Sequence, residues 1–152
     1  MAKGTLHCAH TGMDDLDPGL LWILMSLERE LGYEIRINNG ARCPACNKNV
    51  GGADKSAHLI VPGRKCKAFD VNQSGNPQIE TLRQYLTGAG NSLSRFQLLK
   101  TSLTSDPDLH LIIISKLLEK GVNRFGIGRN FFHFDIARQT EGNPENVCWL
   151  YS

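Results

Sequence analysis

Two stretches of the sequence carry side chains that could do chemistry together. The first, SAHLIVPGRKCKAFD, places His58 and Asp70 at either end of a basic segment that contains proline and glycine. The second, FFHFDIA, contains His133 and Asp135. Imidazole and carboxylate groups are common metal ligands and proton carriers. One interpretation is therefore a metal site interrupted by a loop, and the other is a pair of ordinary solvated polar surfaces.

The bulk properties limit the classes of protein that remain. A chain of 152 residues predicts a single domain, 1–152, with a core large enough to hold a site. The net charge of +2 is too even to indicate nucleic acid or an anionic membrane as a partner. The longest apolar runs are far shorter than the ~20 residues of a membrane-spanning helix. We expect a monomer without nucleic-acid or membrane partners.

The beginning of the chain and its cysteines bear on the compartment. MAKGTLHCAH has no apolar segment or cleavage pattern of a secretory signal, so we expect synthesis in the cytoplasm. Five cysteines are an odd number in such a chain, which favours thiols or metal ligands over a disulfide framework.

The first half of the chain predicts one helix, one strand and one long loop. Asp17 and Pro18 are typical of a helix start, and a leucine stripe then runs to Gly32. Tyr33, Ile35 and Ile37 alternate with charged residues and predict a half-buried strand. Residues 41–67 show no sustained apolar period, which predicts a long ordered loop. This loop contains His58.

The second half predicts two strands and two helices. A short strand spans Ala68 to Val71, and helices are expected from Asn76–Pro77 to Leu86 and from Asp106–Pro107 to Gly121. Between those helices lies a polar stretch. In the strand at 131–137, Phe132, Phe134 and Ile136 share one face, while His133 and Asp135 share the other. Asp70 likewise points away from Phe69, so two strands offer polar groups from one face.

These segments resemble one known family in order as well as in type. INNGARCPACNKNVGGADKSAH, then AFDV, then GIGRNFFHFDI are similar to the motifs of the zinc D-Ala-D-Ala carboxypeptidases. That family includes phage endolysin peptidases and vancomycin-resistance dipeptidases, and shares its zinc site with the hedgehog domain. The resemblance covers roughly residues 20–137. It implies that His58, Asp70 and His133 hold Zn²⁺, a three-ligand set that leaves a fourth position for water.

The segment between the first two of these ligands is longer than the family pattern. Eleven residues separate His58 from Asp70, whereas the family usually has six, so five residues around IVPGR are predicted to be inserted. Pro62 and Gly63 predict a surface turn there. The basic residues of this insert are interpreted as a solvated loop, with contact to an anionic substrate as the alternative.

The resemblance also implies a substrate-binding arginine. Arg42 matches the family's turn arginine, whose planar guanidinium is suited to a substrate carboxylate or carbonyl. A structural pairing with local carbonyls is the alternative. Ser56 matches the motif serine and is equally explained as a hydroxyl that satisfies a turn.

The proton carrier that hydrolysis requires is not evident. Where relatives have an acid or a histidine shortly before the last zinc histidine, this chain has Asn130 and Phe131. Asp135 remains, either as a catalytic base or as a carboxylate that orients His133, with a plain strand aspartate as the third reading.

A second cluster of possible ligands lies outside these motifs. Cys43 and Cys46 have the C-x-x-C spacing of a metal knuckle, and Cys8 with His10 could complete a structural zinc site. Reduced, partly buried thiols are the alternative.

Together the patterns predict an α+β fold in which a small antiparallel sheet carries the zinc site and helices pack on its other face. The resemblance implies a zinc metallopeptidase that cuts the stem peptide of bacterial peptidoglycan, as a DD-carboxypeptidase or a phage-type endopeptidase. The alternative is a non-catalytic zinc module that binds peptidoglycan or assembles into a virion. A zinc-ribbon interaction protein built on CPAC is more distant.

Overall fold

The computed structural model describes residues 3–4, 6, 8, 15–53, 56–138 and 142–151. Six strands form one sheet in the order β1-β2-β3-β5-β4-β6. The strands are β1 Lys3–Gly4, β2 Arg36–Asn39, β3 Ala68–Asn72, β4 Arg124–Ile127, β5 Phe131–Asp135 and β6 Val147–Leu150. The helices are α1 Pro18–Leu31, α2 Pro44–Asn49, α3 Gln78–Thr87, α4 Ser92–Ser105 and α5 Ile112–Glu119. None of the described helices is long and apolar enough to cross a membrane.

The fold is α+β as predicted, but the sheet is mixed rather than purely antiparallel. The four central strands β2, β3, β5 and β4 pair antiparallel with one another in that order. The outermost strands β1 and β6 each pair in parallel with the strand beside them. The sequence did not reveal these edges, because strands of two to four residues carry too little alternation to fix a direction.

One face of the sheet carries the hydrophobic core. Phe134 pairs with Phe69 on one side and with Phe125 on the other, and all three are fully buried. The apolar stripes of the helices supply the other wall of the same core. Each buried phenylalanine contributes about 1.5–3 kcal/mol to the free energy of unfolding. This packing fixes the faces of β3 and β5, so the residues between the phenylalanines must point to the opposite side.

The predicted helices and strands are present with some shifted bounds. The α1 helix begins after Asp17, whose carboxylate accepts from the Gly19 amide at 2.8 Å, and ends at Gly32 with φ +79°. The predicted helix after Pro107 begins instead at Ile112, because Asp106 accepts from the Asp108 amide and forms a turn.

Two helices and one exposed side chain differ from the sequence predictions. Helix α2 lies inside the segment predicted as loop, and α4 occupies the polar stretch. In α4 the buried side chains include only Phe96 and Leu99 as large apolar residues, too few for a clear stripe. Tyr33, predicted to lie on the buried face of a half-buried strand, is 53% exposed and precedes β2.

Candidate metal centre

The polar face of the sheet brings the central candidate ligands into one row. Asp70 on β3 is the direct partner of His133 on β5, and Gly126 on β4 is the partner of His133 on its other side. Direct partners in a sheet lie on the same face, so register alone places these two candidate ligands side by side. His58 reaches the same point from the long loop and is only 2% exposed.

Three side-chain atoms form a nearly equilateral triangle. His58 Nε2 lies 3.2 Å from Asp70 Oδ1 and 3.2 Å from His133 Nδ1. His133 Nδ1 lies 3.1 Å from Asp70 Oδ1. Zinc bonds of about 2.0–2.2 Å to nitrogen and oxygen give a tetrahedron with edges of about 3.3–3.6 Å. The triangle is thus close to one face of a zinc tetrahedron, and the sequence-predicted set His58, Asp70 and His133 is brought together.

The far nitrogen of His58 is held by a backbone carbonyl. His58 Nδ1 lies 2.7 Å from the Gly40 carbonyl oxygen, which accepts only from a protonated nitrogen. In the neutral imidazole, Nε2 then presents its lone pair to the triangle. A carbonyl behind a histidine fixes the ring and its tautomer in the way that metal sites require.

The far nitrogen of His133 is held by a buried carboxylate. His133 Nε2 lies 2.7 Å from Asp135 Oδ2, and Asp135 is 1% exposed. Asp135 Oδ1 accepts from Arg124 Nε at 2.6 Å and from the Ala137 amide at 3.1 Å. Asp135 therefore lies behind the imidazole, on the side away from the triangle.

The pKa values of the ligands show what the buried cluster favours electrostatically. Burial lowers the pKa of His58 below its usual value. Burial also opposes the charge on His133, yet hydrogen bonds to Asp135 and Asp70 raise its pKa to about 9. Burial would raise the pKa of Asp70, but its hydrogen bonds to the two histidines hold that pKa well below its ordinary range. The pocket keeps its carboxylates ionised and attracts positive charge.

The same balance is visible at Asp135 and favours a cation at the triangle. Burial alone would raise the pKa of Asp135. Hydrogen bonding to His133 and the charges of His133 and Arg124 outweigh burial, so the pKa of Asp135 lies below its ordinary value. With neutral histidines, Asp70 gives the triangle one negative charge, while the charge of Asp135 is balanced by Arg124. Three lone pairs then converge at 3.1–3.2 Å. A divalent cation would bind all three atoms, and two neutral imidazoles with one carboxylate are a known ligand set for zinc, so the residues fit zinc.

A cavity of about 370 Å³ opens onto the triangle, with Arg42 in its wall. Arg42 Nη2 donates to Ser56 Oγ at 3.0 Å, and Ser56 Oγ also accepts from the His58 amide at 3.3 Å. Arg42 Nε is buried and has no hydrogen-bond partner among the described residues. Ser56 thus positions the guanidinium in the cavity wall.

A glycine pair forms another part of the cavity wall. Gly51 and Gly52 follow α2, and Gly51 has a φ of +69°. Asn47 stabilises this turn, since its side-chain Nδ2 donates to the Ala53 carbonyl at 2.9 Å. A Cβ at Gly52 would collide with the Asn47 side chain. The N-x-x-V-G-G segment therefore gives the cavity a thin backbone wall.

The opposite wall comes from the last strand, which the sequence patterns did not single out. Trp149 lies beside His133 with ring centroids 5.2 Å apart, and Tyr151 follows it along the wall. Both rings fit because Gly126 has no side chain, and a Cβ there would collide with them. Burial raises the pKa of Tyr151 to about 12, so the phenol keeps its proton. The alternating letters VCWLY were the available signal.

Arg124 is a further residue that the sequence analysis missed. Besides Asp135 it donates to the Pro144 carbonyl, and its guanidinium lies 5.3 Å from the centre of the Trp149 ring. It links the support of His133 to the aromatic wall. The alternation of RFGI could have indicated its strand face, but the contact with Asp135 requires the register of β4 and β5.

The positions of the missing proton carrier are filled by residues that cannot take a proton. Phe131 lines the cavity, whereas exposed Asn130 faces a different surface depression. Among the described residues lining the cavity, the carboxylates are Asp70, in the triangle, and Asp135, behind His133.

The insert between His58 and Asp70 forms a turn outside the cavity. Val61 and Arg64 exchange backbone hydrogen bonds at 2.9 and 3.2 Å around Gly63. Arg64 Nη2 donates to the Ser56 carbonyl at 3.1 Å, and Lys65 lies 3.7 Å from Asp15. Residues of this turn are not among the cavity lining, so the basic segment supports the loop that carries Ser56.

One comparison with known proteins finds a family that matches this chain. A family model described as Peptidase M15 matches residues 2–97, more than half of the chain. No curated protein and no solved structure matches. The matched range contains His58 and Asp70 together with Arg42, whereas His133 lies beyond it and joins the cluster through the register of β5.

Proposed function

We propose that this chain, which belongs to the peptidase M15 family, hydrolyses peptide bonds in the stem peptides of bacterial peptidoglycan. Family membership makes it a zinc metallopeptidase that acts on peptides. The cell-wall substrate is supported by the resemblance of its motifs to zinc D-Ala-D-Ala carboxypeptidases and phage endolysin peptidases. The observation that carries the proposal is the triangle of His58 Nε2, Asp70 Oδ1 and His133 Nδ1, open to one cavity.

In this proposal each polar residue of the site has one task. His58, Asp70 and His133 hold zinc, which when bound polarises a peptide carbonyl and activates water. Asp135 keeps the proton on His133 Nε2, so that Nδ1 faces the metal. This is the orienting role among the alternatives that the sequence left open for Asp135, and its contacts with His133 and Arg124 support it.

Arg42 binds the substrate in this scheme. Its side chain lines the cavity, and Ser56 holds one end of the guanidinium. A carboxylate or carbonyl of the substrate would supply the acceptor, since a guanidinium can present two parallel donors. Tyr151, protonated at neutral pH, is positioned to donate a hydrogen bond within the cavity.

The role of Arg42 can be tested with a pair of substrates. A peptide with a free terminal carboxylate and the same peptide as its amide should differ in KM for the native protein. Arg42→Gln should remove that difference and leave zinc content unchanged. Equal discrimination by Arg42→Gln would contradict a carboxylate contact.

The reaction itself is tested by mass spectrometry of fragments released from purified peptidoglycan. Zinc-loaded protein should release fragments, with His133→Ala as the blank and His110→Ala as the matched control, because His110 is exposed and lies outside the cavity lining. Loss of terminal D-alanine indicates a carboxypeptidase, and an internal cut indicates an endopeptidase.

A second candidate is the non-catalytic zinc module that binds the same polymer. It is favoured by one observation, namely that both carboxylates of the described cavity lining are already engaged with histidines. Pull-down on peptidoglycan without fragment release, by protein with zinc at the triangle, would establish this candidate and contradict hydrolysis.

We further propose that the chain acts as a monomeric single domain that is made in the cytoplasm and reaches the wall during phage-type lysis. Its support is the resemblance alone. Size-exclusion chromatography with light scattering tests the monomer, and lysis of cells only after permeabilisation of their membrane tests the route.

A further inference from the structure

A second group of metal-ligand residues lies apart from the triangle. Cys8, Cys43 and Cys46 place their sulfur atoms within 4.8 Å of one another, and Cys8 Sγ lies 3.5 Å from Cys46 Sγ. Zinc–sulfur bonds of about 2.3 Å give a tetrahedron with sulfur–sulfur edges of about 3.8 Å. The spacing of the three sulfurs is therefore that of ligands around one ion.

Backbone amides point at these sulfurs. The Cys43 amide donates to Cys8 Sγ at 3.4 Å, and the Cys46 amide donates to Cys43 Sγ at 3.4 Å. Hydrogen bonds from amides stabilise the negative charge of a thiolate, which is the form that binds metal. The short turn between Cys43 and Cys46 is set by Pro44, the first residue of α2.

The surroundings show why an ion would be useful here. Helix α2 has six residues, and its buried side chains include Asn47 but no large apolar residue. Isolated helices of this length are not stable, so the segment depends on tertiary contacts. The N-terminal segment packs against the residues just before this helix. The Ala41 amide donates to the Leu6 carbonyl at 3.0 Å, and a Cβ at Gly40 would lie 2.5 Å from that oxygen.

We propose that Cys8, Cys43 and Cys46 bind a structural zinc ion that fastens the N-terminal segment to the loop carrying Arg42 and the glycine pair. Binding displaces the three thiol protons to solvent and forms three zinc–sulfur bonds. His10, the further ligand considered from the sequence, lies outside the described residues.

The position of this ion couples the two clusters mechanically. Gly40 accepts the hydrogen bond from His58 Nδ1, and Arg42 is the residue before Cys43. The ion thus holds the chain directly after Arg42 and, through Cys8, the N-terminal segment that packs against Gly40 and Ala41. This proposal does not depend on the peptidase activity, because it concerns only metal content and thiol chemistry.

The remaining cysteines provide internal controls. Cys66 and Cys148 are fully buried, and burial raises the pKa of each to about 12. They lie outside the three-cysteine group, and thiols with such pKa values stay protonated at neutral pH.

The test is elemental analysis of the full chain produced with zinc. We expect two zinc ions per chain in the native protein and in Cys148→Ala, one in Cys43→Ser, one in His133→Ala, and none in the double variant. A native ratio of one that His133→Ala abolishes and Cys43→Ser leaves intact would overturn the proposal.

Cobalt substitution keeps the test decisive even if Cys43→Ser does not fold. Thiolate ligands give cobalt(II) an intense near-ultraviolet charge-transfer band, which the His–Asp–His triangle does not produce. We expect this band in the native protein and in His133→Ala. Its absence from both, or a non-reduced peptide map that reveals a Cys8–Cys46 disulfide, would overturn the assignment.

Discussion

The two ligand clusters are positioned by different physical means. Asp70 and His133 sit on paired strands whose other face is packed with phenylalanine, so their separation is set by the sheet before any ion binds. The three cysteines join an N-terminal segment to a six-residue helix with little apolar burial. We therefore expect the sheet site to be preorganised and the cysteine site to depend on its own ion. Catalysis gains from the first arrangement, because a rigid floor keeps the ligand geometry fixed.

The largest effect is expected from His133→Ala. Removal of one triangle ligand should abolish zinc at the sheet site and reduce fragment release to the blank, while the cysteine site keeps its ion. His110→Ala should behave as the native protein. Undiminished release by His133→Ala would contradict a catalytic zinc site at the triangle. Mass spectrometry measures fragment release, and elemental analysis measures zinc content.

Asp135→Asn should weaken zinc binding at the triangle by about 10–100-fold, because it removes the carboxylate that holds His133. Turnover should return when excess zinc is added, measured by titration of activity against free zinc. A variant that stays inactive with zinc fully bound would instead make Asp135 the catalytic base. Circular dichroism serves as the folding control, because Arg124 loses its buried partner.

Removal of zinc by a chelator should affect the loop at residues 42–53 more than the strands β3 and β5. After zinc is removed, we expect amide hydrogen exchange in residues 42–53 to accelerate about tenfold or more, since local opening there is no longer opposed by the ion. Amides of β3 and β5 should stay protected by the packed core. Equal acceleration in the strands and in the loop would contradict the contrast between a preorganised site and an ion-dependent one.

Gly126→Ala should give the smallest of these effects. The new Cβ collides with Trp149 and Tyr151, so the aromatic wall must move and we expect overpacking to cost about 1–3 kcal/mol of stability. KM should rise more than kcat falls, because the zinc ligands stay in place. Gly90→Ala is the matched control, as its Cβ would meet no atom within 4 Å. An unchanged KM would exclude the wall from substrate binding.

The strand faces and the types of ligand could be predicted from the sequence. Alternation in AFDV and FFHFD places Asp70, His133 and Asp135 on the face opposite to Phe69, Phe132 and Phe134, because successive residues of a strand point to opposite faces. Asp17 with Pro18 predicted the start of α1 for an equally local reason. Helix α4 and the parallel edge strands were missed, since their stability comes from contacts with distant segments rather than from a local pattern.

In the candidate site, too, some features could be predicted from the sequence and others could not. The resemblance of the motifs to a known family implied His58, Asp70 and His133 as ligands, and the C-x-x-C spacing identified the second cluster. The sequence left open whether Asp135 is a base or a support, and it contained no indication of Gly40 or Arg124 as partners.

By itself, the sequence determined which side chains share a face and which chemistry they can perform. The tertiary structure alone decided which nitrogen of each histidine points inward, because the Gly40 carbonyl and Asp135 fix the rings from behind. It also decided that Cys8 meets Cys43 and Cys46, and that Trp149 stands beside His133. Such contacts join residues far apart in the chain, and their distances depend on strand register and loop path, which no local pattern encodes.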